Sequence, residues 1–161
     1  MEALLLRVNE NEGAKRSLKA ISLVATLTSV LIYILMVASS FFAEPMRAVA
    51  LLFVCGISFA LVSTVRKIIN AKRPYEEYDF LTPEKNAKSG LSFPSRHVFS
   101  AFIIGTVAFT VSPMLAIASY IIGVSLAACR VLLGIHYLRD VIFGAALGVF
   151  FGALGILVIL I

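Results

Sequence analysis

A bundle of about five transmembrane helices, all α, preceded by an N-terminal interfacial amphipathic helix, is the fold class this sequence predicts. Three observations predict it. The mean hydropathy of the 161 residues is +0.99, with 60% hydrophobic residues against 14% charged, far from the balance of a soluble domain. The apolar residues fall in runs long enough to cross a hydrocarbon core of about 30 Å. The charged residues gather between those runs, where a membrane protein meets water. The length suits one domain, so residues 1–161 read as a single membrane-embedded unit.

The first twenty residues, MEALLLRVNENEGAKRSLKA, hold a short apolar patch interrupted by Arg7, Glu10 and Glu12. That interruption argues against a secretory signal and for a helix lying in the interface. Five apolar runs follow, over residues 20–42, 46–65, 95–111, 114–133 and 140–161. AEPMR and SPM make tight connections, and their prolines mark helix ends. Residues 66–94 are the long polar stretch, where a substrate-facing loop is expected. Its Tyr75, Tyr78 and Phe80 read as membrane-belt aromatics that could also shape headgroup choice. In the last run, Gly144, Gly148 and Gly152 recur every four residues, which stacks them on one face and predicts close packing inside the same bundle. Cys55 and Cys129 fall within apolar runs and read as buried thiols rather than a disulfide.

The formal net charge of +5 comes without a basic stripe or a recognition module, so nucleic acid is not an expected partner. Anionic lipid or phosphate is, together with the bilayer itself. Five crossings place Arg7, Lys15, Arg16 and Lys19 on the same side as Arg66, Lys67, Lys72, Arg73, Lys85, Lys88 and Arg96, and as Arg130 and Arg139. Only Arg47 lies opposite. The positive-inside rule makes the richer side cytoplasmic, and the chain is expected to be a multi-pass protein of the cell membrane.

Three stretches meet on that side: RKIINAKRP, FPSRH and CRVLLGIHYLRD. Arg66, Arg73 and Arg130 each offer a planar fork of donors that matches phosphate oxygens. Snorkelling at a membrane end is the plainer account, and for Arg66 alone it is the preferred one. Arg130 resists it, because the residue falls in the last turn of an apolar run. Pro94 and Ser95 look like a helix start, whose free N–H groups and positive dipole end form an anion pocket, or simply a capped helix. His136 and Asp140 are four residues apart, which puts them on one face if the last helix begins near His136. The carboxylate can then orient one ring nitrogen and leave the other nucleophilic, while His97 supplies a proton to a leaving group. A metal site from His97, His136 and Asp140 is disfavoured because three nearby arginines would repel a divalent cation. A serine hydrolase built on Ser95 lacks a nucleophile-elbow context.

Together the three stretches resemble the type 2 phosphatidic acid phosphatase superfamily, whose pattern is a Lys, six residues and Arg-Pro; then Pro-Ser-Gly-His; then Ser-Arg, five residues, His, three residues and Asp. Here Arg66 precedes Arg73-Pro74 by six residues, Pro94-Ser95-Arg96-His97 is the second motif, and Cys129-Arg130 leads to His136 and Asp140. The match runs from Arg66 to Asp140, and the short chain also looks like the compact bacterial members, including undecaprenyl pyrophosphate phosphatases of the bacitracin-resistance kind. The resemblance implies that His136 attacks phosphorus and forms a phosphohistidine, that Asp140 orients it, and that His97 protonates the leaving group and then helps water release phosphate. It implies that Arg73, Arg130 and Ser95 hold the phosphate oxygens. It implies no metal or other cofactor.

Three residues depart from the pattern. Arg66 stands for the Lys, keeping charge but changing geometry. Arg96 stands for the Gly, and its guanidinium is a candidate ligand for a second phosphate. Cys129 stands for the Ser, and Ser125 one turn away is a candidate replacement hydroxyl. The expected function is a metal-independent phosphatase acting on a phosphate monoester or diphosphate of a membrane lipid, either a polyprenyl pyrophosphate or a phosphatidate or phosphatidylglycerophosphate. The alternative is a non-catalytic binder or carrier of anionic lipid headgroups, which would not require both histidines and the aspartate. In many members of the superfamily the site faces away from the cytoplasm, opposite to the side the basic residues indicate.

Overall fold

The structure, a computed structural model, describes residues 2–78, 81 and 89–159. Phe80, Lys85 and Lys88 of the loop, and residues 160–161 of the last apolar run, lie outside them. Six α-helices follow in chain order: α1 (Glu2–Glu10), α2 (Glu12–Ala43), α3 (Pro45–Ile69), α4 (Arg96–Val107), α5 (Pro113–Leu132) and α6 (Leu138–Ile159). Of these, α2, α3, α5 and α6 are each long and apolar enough to cross a membrane.

The polar N-terminus differs from the single interfacial helix that the sequence suggests. It breaks at Asn11, whose side chain accepts from the Ala14 N–H at 3.0 Å and caps a new helix. Residues 12–19 are therefore the first turns of α2, and only the nine residues of α1 form the separate helix. α1 is tied to the bundle by buried Leu5 and by Asn9, whose amide donates to the Leu132 carbonyl at 3.5 Å.

Small residues set the packing of the long helices. On α2 the buried stripe is Ser22, Ala25, Ser29, Ile32, Met36 and Ser40, spaced by three or four residues. Leu23, Leu27, Leu31 and Leu35 point outward and leave an apolar surface suited to lipid. On α3 the same periodicity runs through Ala48, Leu51, Cys55, Ser58 and Val62 and ends on Arg66. Cys55 and Cys129 are both buried free thiols.

α4 is the core of the bundle. It has 12 residues, about 18 Å, continued by a 3-10 turn over Ala108–Thr110. It is shorter than a full span because it is wrapped by protein rather than lipid: Val98, Phe99, Ala101, Ile103 and Val107 are all buried. The closest wrapping comes from α6. A Cβ added at Gly144 would lie 2.6 Å from the Ser95 carbonyl oxygen, and one at Gly148 would lie 2.7 Å from that of Phe99. The glycine face thus lets the two backbones touch, within this bundle.

Candidate active site

Arg66 enters the site because it occupies the last position of the buried stripe of α3. Its side chain does not snorkel outward. It is 5% exposed, and Nη1 donates to the Pro94 carbonyl at 2.9 Å, just ahead of α4. α3 then ends on Asn70 in the left-handed conformation, and the chain turns through Arg73 and Pro74. Glu76 ties the two flanks of the loop together, accepting from the Arg73 N–H at 2.8 Å, the Gly90 N–H at 2.8 Å and the Ser89 hydroxyl at 2.5 Å. The Arg73 guanidinium lies 5.7 Å from the Tyr75 ring, and its Nε donates to the Gly90 carbonyl at 2.9 Å.

The chain returns through Ser92, whose N–H donates to the Ala71 carbonyl at 2.8 Å, and reaches α4 with Ser95 at the N-cap. The Ser95 N–H donates to the Asp140 carbonyl at 3.0 Å, so the start of α4 is bonded to the start of α6. The first N–H groups of α4 have no partner within the helix. Beside them the Ser95 hydroxyl and Arg66 Nε are buried without a hydrogen-bond partner among the described residues. Buried donors left open at a helix N-terminus are what an anion would satisfy.

His136 lies in the turn between α5 and α6, two residues before α6 begins. The Arg130 carbonyl closes that turn by accepting from the Ile135 and His136 N–H groups at 3.1 and 3.2 Å. His136 is 2% exposed and Asp140 is fully buried. His136 Nδ1 and Asp140 Oδ2 are 3.6 Å apart. Ser92 stands beside both: its hydroxyl is 2.5 Å from Asp140 Oδ2 and 3.3 Å from His136 Nδ1. The Tyr137 N–H also donates to Oδ2, at 3.1 Å.

Burial, with the Arg73 and Arg66 charges adding to it, pushes the His136 imidazole down to about 4 against the pull of Asp140. His97, on the first turn of α4, is within electrostatic reach of Arg130, His136, Arg96 and Arg66. It is exposed on a cleft of about 200 Å³ shared with Arg96, Phe59, Ser29 and Leu126. The Arg96 guanidinium sits 5.6 Å from the Phe59 ring. A second, apolar cleft of about 260 Å³ shares Val30, Phe59, Ser100 and Ile104 with the first and continues to Tyr33 and Gly56.

The eight residues singled out from sequence therefore converge where α3, α4, α5 and α6 meet. Two expectations change. Arg66 turns inward and is not a snorkelling cation. Ser125 is exposed and donates to the Ile121 carbonyl of its own helix at 2.9 Å, so it does not stand in for the hydroxyl absent at Cys129. Ser92 has no signature in the sequence, because a serine in a loop three residues before the cap carries no periodicity or spacing signal.

The family model described as PAP2 superfamily matches residues 47–160. The fold is similar to that of the first transmembrane PAP2 type phosphatidylglycerolphosphate phosphatase from Bacillus subtilis, with a TM-score of 0.71 and 20% identity over 96% of this chain and 83% of that one. It is also similar to Aquifex aeolicus LpxE, with a TM-score of 0.70 and 17% identity over 96% of this chain and 93% of that one. No curated protein sequence matches this one.

Proposed function

We propose that this chain, which belongs to the PAP2 superfamily, is a metal-independent phosphatase that hydrolyses the phosphate monoester or diphosphate of a membrane lipid, releasing one phosphate through a phosphohistidine. The observation that carries the reading is the gathering of two histidines and four arginines around one helix N-terminus whose neighbouring donors are open. Such a field attracts a phosphate dianion and repels a divalent cation.

In the proposed reaction the neutral His136 attacks phosphorus, forming an N–P bond as the P–O bond to the lipid breaks. The proton of His97 passes to the departing oxygen. Water then attacks the phosphohistidine with His97 as base, releasing phosphate and restoring the ring. Arg66, Arg73, Arg130 and Ser95 hold the equatorial oxygens. Arg96, on the cleft side of His97, faces the leaving group, and in a diphosphate lipid it would hold the phosphate that stays with the lipid. The apolar cleft running on to Tyr33 and Gly56 suits the hydrocarbon chain next to that headgroup. The candidate substrates are polyprenyl pyrophosphate, phosphatidate and phosphatidylglycerophosphate.

The test is phosphate release by purified protein in detergent with a chelator present, comparing wild type with His136→Ala on these lipids. Chelator-resistant release that disappears in the variant is expected, with the preferred lipid naming the substrate. Binding of the lipids without release by wild type would instead favour a headgroup binder.

A further inference from the structure

The contact expected between His136 and Asp140 is not a direct hydrogen bond. At 3.6 Å the two atoms are beyond the usual range of about 2.7–3.2 Å. Ser92 occupies the intervening position, fully buried, and its one hydroxyl proton has two possible acceptors. Asp140 Oδ2 lies at 2.5 Å and already accepts the Tyr137 N–H, so this oxygen is an acceptor and the hydroxyl proton goes to it. That leaves only lone pairs on Ser92 Oγ to face His136 Nδ1 at 3.3 Å. A hydrogen bond there requires the proton to be on Nδ1.

We propose that Ser92 is a positioning residue of the proposed reaction: a chain from His136 Nδ1–H to Ser92 Oγ and on to Asp140 Oδ2 fixes the tautomer that leaves His136 Nε2 unprotonated for attack on phosphorus. The inference rests on His136 being the nucleophile. Ser92 is suited to the task because it is itself anchored. Its N–H is held by the Ala71 carbonyl, and the preceding Leu91 N–H donates to Asn70 Oδ1 at 3.2 Å. The backbone after α3 thus sets the serine, the serine sets the imidazole, and the three motifs act on one ring.

The test uses the fact that the chain has two histidines. With 15N-labelled histidine, the full-length protein in detergent near neutral pH yields signals from two rings, and His136→Ala assigns them. Expected for wild type is a His136 ring protonated at Nδ1 and unprotonated at Nε2. In Ser92→Ala the population moves toward the Nε2–H form, and kcat falls by about 10- to 100-fold, the range for removing an orienting partner of a functional histidine. KM stays within about twofold, because the lost interaction does not touch substrate. Ser92→Thr, which keeps the hydroxyl, retains the wild-type tautomer. A wild-type His136 protonated at Nε2 would overturn the proposal, as would a Ser92→Ala protein with unchanged tautomer and kcat. If Ser92→Ala does not fold, the wild-type and Ser92→Thr spectra still decide. The tautomer is read without turnover, so failure of the phosphatase reading shows separately, as absence of release by wild type.

Discussion

At the scale of single residues, the buried imidazole of His136 is held near 4, well below the usual histidine range, chiefly by loss of solvent. Attack needs the unprotonated ring, which is the dominant form at any pH above that value. The acid side of the kcat/KM profile should therefore fall only as pH drops through about 4. An acid limb near the ordinary histidine value of about 6.5 would mean that His136 is not held neutral by burial. Arg96 makes a second prediction at this scale. Arg96→Gly removes a guanidinium that lines the cleft beside His97 and should lower turnover of a diphosphate lipid about tenfold relative to a monophosphate lipid with the same tail, in line with loss of one charge-assisted hydrogen bond. Equal losses on both substrates would assign Arg96 to the shared phosphate instead.

Among the helices, α4 and α6 matter most, because the cap of one is bonded to the first turn of the other through Ser95 and Asp140. Their contact depends on the glycine face. A Cβ at Gly148 would stand 2.7 Å from the Phe99 carbonyl oxygen and 2.9 Å from the Ile103 nitrogen, neither of which can move without moving α4. Gly148→Ala should destabilise the protein by about 1–3 kcal/mol, the range for overpacking, and lower activity by separating Ser95 from Asp140. Gly56 is the control. It is also helical, but a Cβ there meets nothing within 4 Å, so Gly56→Ala should stabilise by about 0.5–1 kcal/mol. Thermal unfolding of both variants in one detergent checks the pair.

On the scale of the whole molecule, five successive crossings put α1, the loop after α3 and the α5–α6 turn at one end of the bundle, and the α2–α3 connection at the other. Single cysteines at Gly13 and Lys72, both exposed, should react with an impermeant maleimide from the same side of the membrane, and one at Met46 from the opposite side. The native Cys55 and Cys129 are buried and contribute little background. Labelling of Lys72→Cys and Met46→Cys from the same side would rule out this arrangement, and protection of Lys72→Cys in intact cells would put the site on the cytoplasmic side that the basic residues indicate. Much of this was legible in the chain itself. Apolar run length marks the four long helices that face lipid, since each needs enough apolar residues to shield its backbone, whereas α4 is wrapped by protein and falls short of that length. The spacing of Arg66, Arg73, Ser95, His97, Arg130, His136 and Asp140 marks the proposed chemistry, since residues at helix ends on one side can converge. Only the tertiary structure decides how they converge. The inward turn of Arg66, the outward turn of Ser125 and the place of Ser92 between His136 and Asp140 depend on which helix faces which. That choice comes from backbone-to-backbone packing of α6 on α4 and from loop hydrogen bonds such as Ser92 to Ala71, contacts between residues far apart in the chain that leave no local pattern.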